Sequence, residues 1–115
     1  MDKLIVLHNT MCTKSRGLIS ILEEKGIPYE VRFYLKDPLT KKDLTTLMQQ
    51  LDNPTELVRV KDAIKKGYLE EGTKLTPKLC LSLLTEHPEL MERPVVMRGG
   101  KALIARPPEL IENWL

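Results

Sequence analysis

Apolar and polar residues recur along the chain with two different periods, which separate strands from helices. Residues 4–7 form an unbroken apolar run that ends at polar side chains, a pattern typical of a central strand covered on both faces. Leu18, Ile21 and Leu22 then recur at helical spacing, and residues 25–28 contain a lysine, a glycine and a proline that act as a helix stop signal. The pattern predicts a first strand followed by a first helix over residues 15–25.

A second strand is predicted directly after this helix. Residues 29–35 alternate apolar and polar side chains, which places Phe33 and Leu35 on one face and Tyr34 on the other. A strand that follows a helix in this way completes a βαβ-like unit, so we expect it to pair in parallel with the first strand.

Helix signals dominate the middle of the chain. Thr40 and Asp43 have capping-box spacing ahead of a helix that reaches about residue 50. Asn53 and Pro54 have the character of N-cap and N1 residues, which predicts a short helix through residues 57–59. Residues 61–74 are mostly charged and predict a helix followed by a loop. Thr76 and Pro77 open another helix, which carries two i, i+4 apolar pairs and stops near His87 and Pro88.

The last part of the chain predicts a hairpin and a final helix. Residues 95–98 and 101–106 flank Gly99 and Gly100, which can take the positive φ angles of a two-residue turn. Pro107 or Pro108 then opens a helix with an apolar side made by Leu110, Ile111, Trp114 and Leu115. The predicted fold class is α/β: a mixed four-stranded sheet with the order βαβ, a helical insertion at about residues 40–90, ββ and α.

Length and composition narrow the classes of function. A chain of 115 residues supports one hydrophobic core, so we expect a single domain over residues 1–115. With 42% hydrophobic and 30% charged residues it has the composition of a folded soluble protein. A net charge of +2 is too small for a dedicated nucleic-acid face, and no apolar run approaches the ~20 residues that span a bilayer. We therefore expect neither nucleic-acid nor membrane partners. Two cysteines without a disulfide framework make a reducing cytoplasm the expected location.

Cys12 is the candidate nucleophile. It lies in the turn between the first strand and the first helix, where unpaired backbone N–H groups and the helix dipole favour a thiolate. Lys14 and Arg16 add positive potential. Ser15 replaces the second cysteine of a Cys-x-x-Cys motif, so no local disulfide can form, and its hydroxyl either bonds the thiolate or simply begins the helix. The alternative for Cys12 is a small buried residue with an inert thiol.

The remaining candidates are defined by their positions at the ends of elements. His8 ends the first strand, either as a cationic or hydrogen-bonding neighbour that lowers the pKa of the thiol or as a histidine bonded to backbone. Arg59, Arg93 and Arg106 each stand at an element boundary, where their guanidinium groups either gather around Cys12 or remain solvated surface charges. Cys80 lies on an apolar helix face and is predicted to be a core residue, not a resolving thiol. The two cysteines have no metal-ligand spacing, so no metal site is expected.

Four segments in order resemble the arsenate reductase family that uses glutathione and glutaredoxin. The most specific is His-Asn-x-x-Cys-x-x-Ser-Arg over residues 8–16, and the others are residues 57–59, 92–96 and 105–109, with Arg-Pro pairs in the last two. The similarity runs nearly from end to end of the chain. It implies a thioredoxin-like fold with an inserted helical region, and a cis peptide bond between Arg93 and Pro94 that leads into the third strand.

The resemblance also implies a reaction. Cys12 would attack the arsenic of arsenate while Arg59, Arg93 and Arg106 hold the oxyanion, with Lys14 and Arg16 assisting from the start of the helix. Glutathione, a co-substrate and not a bound cofactor, would then displace an arsenic-bound oxygen. Glutaredoxin would resolve the mixed disulfide, and arsenite would be the product.

Two other functions fit the same pattern. One is an Spx-type regulator that binds RNA polymerase, although such regulators typically carry Cys-x-x-Cys where this chain has a serine at residue 15. The other is a monothiol glutaredoxin-like thiol transferase that uses Cys12 alone and needs no oxyanion pocket. A member of the same family without catalysis is the remaining alternative.

Overall fold

The computed structural model describes residues 3–9 and 11–115, which fall into two compact units. Residues 1–37 and 93–115 make up the first unit, and residues 38–92 make up the second. The second unit comprises the helices of the predicted insertion. No helix in the described part of the chain is long and apolar enough to cross a membrane.

The first unit is built on a mixed four-stranded sheet. Its strands are β1 (Leu4–Leu7), β2 (Tyr29–Arg32), β3 (Val95–Arg98) and β4 (Lys101–Ile104). They lie in the order β2-β1-β3-β4, with β1 and β2 parallel and with β3 antiparallel to both β1 and β4. The apolar run at β1 is explained by this order, because β1 is a central strand. The predicted mixed sheet is confirmed.

Helices α1 (Thr13–Glu24) and α5 (Ile111–Trp114) contribute to the core of the first unit. A short 3₁₀ helix over Pro108–Leu110 precedes α5 and packs against α1. Apolar side chains of β1, α1, β3 and the C-terminal segment meet in this core and are nearly inaccessible to solvent. They are Leu4, Val6, Leu18, Leu22, Val96, Ala105 and Ile111. Burying apolar surface at these positions is the main force that fixes α1, and so the position of Cys12, against the sheet.

The hairpin between β3 and β4 is formed as predicted. Gly99 and Gly100 have φ angles of 55° and 80°, which L side chains rarely adopt and which suit a two-residue turn between twisted strands. Arg98 pairs with Lys101 across the turn. The strand β4 ends at Ile104, so the predicted strand over residues 101–106 is two residues too long.

The second strand is shorter than predicted. It ends at Arg32, and the chain then turns, with the amides of Lys36 and Asp37 donating hydrogen bonds to the Phe33 carbonyl at 3.0 and 2.8 Å. In this turn Tyr34 is 1% exposed, whereas Phe33 and Leu35 are 45% and 46% exposed. Alternation of side chains applies only while the strand continues, so the predicted strand over residues 29–35 is three residues too long.

The second unit contains three α-helices, α2 (Lys41–Gln50), α3 (Val60–Lys65) and α4 (Pro77–Glu86), and two 3₁₀ helices (Pro54–Leu57 and Pro88–Leu90). The capping box of Thr40 and Asp43 is confirmed, with bonds of 3.1 and 3.2 Å. Thr76 caps α4 by accepting a hydrogen bond from the amide of Leu79 at 3.2 Å.

The short helix predicted through residues 57–59 ends at Leu57. Val58 is extended and forms an isolated antiparallel bridge with Met91, and the amide of Arg59 donates to the carbonyl of Leu90 at 2.8 Å. These pairings take residues 58 and 59 out of the helix. Arg59 is therefore the N-cap residue of α3 instead of the last residue of the preceding helix.

Candidate active site

Cys12 occupies the N-cap position of α1, immediately beyond the end of β1. Its backbone is extended, its amide donates to the carbonyl of Asn9 at 3.0 Å, and its own carbonyl accepts the amide of Arg16 at 3.1 Å. The Asn9 side chain also accepts the amide of Met11 at 2.9 Å. These two hydrogen bonds to Asn9 hold the segment before the helix and so fix Cys12 at the start of the helix. The Cys12 residue is 9% exposed there.

The environment of the sulfur favours the thiolate. Burial by itself raises the pKa of the Cys12 thiol, but the backbone N–H groups of Ser15 and Lys14 and the guanidinium of Arg93 together outweigh it. The pKa of Cys12 therefore lies below its ordinary value. The hydrogen bonds act directly on the anion, which is the form that attacks as a nucleophile.

Arg93 is the cation that the structure brings to the sulfur. Its side chain hydrogen-bonds Cys12 and is half-buried. Burial alone lowers the pKa of Arg93, but Cys12 and Tyr34 raise it above its ordinary value, so the guanidinium remains charged. The shifts of Cys12 and Arg93 agree in direction, as expected when an anion and a cation stabilise each other.

Arg106 lies on the same side of the first unit as Arg93. Its Nη1 donates a hydrogen bond to the carbonyl oxygen of Arg93 at 3.2 Å, and its side chain is exposed. The peptide bonds Arg93–Pro94 and Arg106–Pro107 are both cis, the first of them as the family resemblance implies. Arg106 thus neighbours the backbone of the residue that contacts the sulfur.

His8 and Ser15 form a separate polar cluster behind the turn. The Nδ1 atom of His8 is 3.0 Å from Oγ of Ser15, and the same Oγ accepts the amide of Asn9 at 3.2 Å. Both side chains are buried. Burial and the nearby Arg16 lower the pKa of His8, so its imidazole is neutral at neutral pH. The ring bonds the Ser15 hydroxyl, and the groups that shift the pKa of Cys12 do not include His8, so an action of His8 on the thiol stays a prediction.

Of the two alternatives for the Ser15 hydroxyl, a bond to the thiolate or a plain serine at the helix start, the described contacts do not include the bond to the thiolate. The hydroxyl of Ser15 is engaged with His8 and Asn9, and the group that acts on Cys12 is the backbone N–H of Ser15. Spacing alone cannot separate the two, because both groups of a residue three positions along lie near an N-cap side chain.

Lys14 and Arg16 have exposed side chains at the start of α1. Lys14 acts on Cys12 through its backbone N–H. The guanidinium of Arg16 is 3.5 Å from the hydroxyl of Thr13. Their role in holding a substrate stays a prediction.

Arg59 and Cys80 belong to the second unit. Arg59 makes an ion pair with Asp62 at 3.3 Å, next to the N-terminus of α3, and its place in an oxyanion pocket stays a prediction. Cys80 is fully buried on α4, and burial raises the pKa of its thiol. A buried thiol of raised pKa is a poor nucleophile, which agrees with the prediction that Cys80 is a core residue.

One neighbour of the sulfur was absent from the predicted site. Tyr34 interacts with Arg93, Asn9 and Cys12. Residues 36–38 contain turn-forming residues, and this signal could have indicated that β2 ends early. Tyr34 would then have been expected in a turn and not in the strand. In the described residues, no group of three or more His, Cys, Asp or Glu side chains could hold a metal ion.

The fold and the site together define a thioredoxin-like protein in which one cysteine, at the start of the first helix, has a lowered pKa. Comparison with known proteins narrows this class. The ArsC family profile matches residues 7–114. The chain belongs to the ArsC family, and the resemblance inferred from its motifs is confirmed.

Individual relatives cover nearly the whole chain. An "Arsenate reductase" of Neisseria meningitidis serogroup A is 37% identical over 117 residues, covering 100% of both chains. An "Arsenate reductase" of Haemophilus influenzae is 34% identical and covers 93% of this chain and 94% of its own. The solved structure "Arsenate reductase from Vibrio cholerae" superposes with a TM-score of 0.86 at 32% identity, covering 99% of this chain and 98% of its own.

Proposed function

We propose that this chain reduces arsenate to arsenite, with Cys12 as the nucleophile and with glutathione and glutaredoxin as electron donors. The observation that carries the proposal is the pairing of a low-pKa thiol with the half-buried guanidinium of Arg93. Membership of the ArsC family and the names of its relatives support arsenate as the substrate.

A thiolate and a tetrahedral oxyanion repel each other, so the reaction needs cations at the point of attack. Coulomb repulsion between unit charges at ~4 Å is about 4 kcal/mol at an effective dielectric constant of ~20. A guanidinium presents parallel N–H donors that fit an oxyanion better than an ammonium does. Arg93 already contacts the sulfur, Arg106 bonds the Arg93 backbone, and the family resemblance adds Arg59 as a third cation.

In the proposed reaction, each new bond to arsenic replaces a bond that is broken. The Cys12 thiolate forms a bond to arsenic(V), and one arsenate oxygen takes up two protons and leaves as water. Glutathione displaces a further oxygen in the same way. The glutaredoxin thiolate then attacks the glutathione sulfur, and the electron pair of the broken sulfur–arsenic bond reduces arsenic(V) to arsenic(III). Water releases arsenite and returns the Cys12 thiol. Both donors belong to the reducing cytoplasm, where the proposal places the protein.

The chain's own groups have distinct parts in this scheme. The backbone N–H groups of Ser15 and Lys14 hold the thiolate ready for attack. The cluster of His8, Ser15 and Asn9 keeps the preceding turn in place, which fixes the direction of the sulfur. His8 and Ser15 are therefore positioning residues in the proposal, because they act through the turn.

A coupled assay tests the proposal. Consumption of NADPH is followed with arsenate, glutathione, glutaredoxin and glutathione reductase. We expect turnover by the wild type, none by Cys12→Ser, and wild-type turnover by Cys80→Ala, which removes the other sulfur. Arg93→Ala should lose about 100-fold or more, because removing one donor to a developing oxyanion typically costs that much. Arsenate turnover by Cys12→Ser would contradict the proposal.

Thiol transfer is the second candidate, because Cys12 is the only cysteine of its unit and this reaction needs nothing more than a thiolate. Arg106→Ala separates the two functions, since it leaves every group that lowers the pKa of Cys12 in place. Arsenate turnover should fall in this variant while transfer from a glutathione mixed disulfide survives. An equal fall in both activities would favour a structural role for Arg106, and transfer without any arsenate turnover in the wild type would favour the transferase.

A further inference from the structure

Tyr34 carries a polar group that nothing in the described part of the chain satisfies. Its side chain is 1% exposed, and its hydroxyl makes no hydrogen bond of normal length and angle with any described residue. Buried polar atoms in folded proteins nearly always have a partner, so an exception calls for an explanation. Tyr29 differs from Tyr34 in this respect, because its hydroxyl donates a hydrogen bond to the Glu23 carboxylate at 2.8 Å.

The surroundings of this hydroxyl are those of the candidate active site. Arg93 and Asn9 act on its oxygen as donors, Cys12 acts on it through charge, and all three belong to the same unit as Tyr34. Arg93 and Asn9 are near enough to influence the hydroxyl but lie outside regular hydrogen-bond geometry. The hydroxyl is therefore close enough to the thiolate and its guanidinium partner to feel both charges, and its proton has no acceptor of regular geometry among the described residues.

The protonation state makes the hydroxyl a donor. Burial raises the pKa of Tyr34, and Arg93 and Asn9 only partly oppose this effect. At neutral pH the phenol is uncharged and keeps its proton. Arg93 offers only N–H groups, so it cannot accept that proton's hydrogen bond. A bound tetrahedral oxyanion would bring several acceptor oxygens to this place.

We propose that the hydroxyl of Tyr34 donates a hydrogen bond to an oxygen of the tetrahedral oxyanion that binds between Cys12 and Arg93. The inference rests on the proposed function and extends it by one binding residue. In the bound state an oxygen of the substrate accepts the hydrogen bond that the buried hydroxyl does not make in the free protein. The free protein then keeps an unfavourable buried hydroxyl for the sake of binding, a recurrent trade between stability and function.

The test compares Tyr34→Phe with the matched variant Tyr29→Phe. Alkylation of Cys12 by iodoacetamide is measured at increasing arsenate, and the arsenate concentration that halves the rate is recorded. We expect Tyr34→Phe to need about 10- to 100-fold more arsenate than the wild type, the usual effect of losing a hydrogen bond to a charged group. Tyr29→Phe should behave like the wild type, because its hydroxyl is bonded to Glu23.

Two further readouts separate substrate binding from a structural role. The melting temperature of Tyr34→Phe should equal or exceed that of the wild type, because the lost hydroxyl has no partner in the free protein. The pH at which alkylation is half-maximal without arsenate should stay close to the wild-type value, because the donors to the thiolate are intact. A large fall in melting temperature, or a raised thiol pKa, would assign the effect to structure and overturn the inference.

The possible failures are distinguishable. If arsenate protects the wild type and Tyr34→Phe equally, the inference about Tyr34 is wrong and the proposed function stands. If arsenate fails to protect the wild type at all, both the proposed function and the inference that rests on it are wrong.

Discussion

Replacing Ser15 by alanine tests how the turn before Cys12 is held. Oγ of Ser15 is fully buried and bonds both Nδ1 of His8 and the amide of Asn9, at 3.0 and 3.2 Å. Ser15→Ala removes this oxygen and leaves both partners without it. The backbone N–H that Ser15 directs to the sulfur remains, because alanine keeps the same backbone.

The size of the effect follows from the two stranded groups. A buried donor or acceptor that loses its partner costs about 1–3 kcal/mol. The Asn9 amide is only partly buried, which brings the sum toward the lower end, about 2 kcal/mol. With a urea m-value of about 2 kcal/mol per molar, the unfolding midpoint should fall by about 1 M. The pKa of Cys12 should change little.

Urea unfolding and the pH dependence of Cys12 alkylation measure these two quantities separately. Ser20→Ala is the matched control, since Ser20 lies on the same helix with an exposed side chain, and it should change neither quantity. If the Ser15 hydroxyl instead bonds the thiolate directly, Ser15→Ala would raise the thiol pKa with little loss of stability. That outcome would refute the hydrogen bonding described here.

Further predictions concern His8, Cys80 and Arg93. The pKa of His8 is lowered in the folded protein from its ordinary value of 6.5, so the unfolded chain takes up the proton more readily and stability should fall as pH drops below about 6.5. Urea unfolding between pH 7 and 5 checks this, and the same fall in His8→Gln would show that another group is responsible. Cys80→Ala should lose about 1 kcal/mol through the cavity it leaves, while alkylation of Cys12 is unchanged. Arg93→Ala should raise the pKa of Cys12, and an unchanged alkylation profile would contradict its contact with the sulfur.

Local patterns predicted those parts of the fold that local forces determine. β1 was placed by its unbroken apolar run, α2 by the capping box at Thr40, and the hairpin by two adjacent glycines. Each of these signals lies within the element it specifies. The sequence could therefore supply the order of strands and helices without any knowledge of tertiary contacts.

The errors have two causes: a local turn that overrides strand alternation, and a pairing between residues distant in sequence. The alternation through residue 35 predicted a longer β2, but the turn stabilised by the Phe33 carbonyl ends it at Arg32 and buries Tyr34 instead of Phe33. Val58 was predicted to be helical and instead pairs with Met91, which lies more than thirty residues away in the sequence. The partner of Val58 cannot be recognised from the neighbouring residues.

In the candidate site, too, some residues are indicated by the sequence and others are revealed only by the folded structure. Cys12 was singled out because a helix start after a buried strand is visible in the sequence, whereas Arg93, like Arg59 and Arg106, was singled out by its place at an element boundary and by the family resemblance. The partner of the Ser15 hydroxyl and the approach of Tyr34 to Arg93 depend on how the turns fold back, which residue spacing does not encode. The membership of Arg59 in the site stays a prediction.

The central claim is that Cys12 is a thiolate in a pocket that accepts an oxyanion. The rate of Cys12 alkylation by iodoacetamide, followed from pH 5 to pH 10 with and without arsenate, tests both parts in one experiment. We predict a half-maximal rate below pH ~8.5, the ordinary thiol pKa, and protection that increases with arsenate concentration. A half-maximal rate at or above pH ~8.5, or alkylation that arsenate does not slow, would contradict the account.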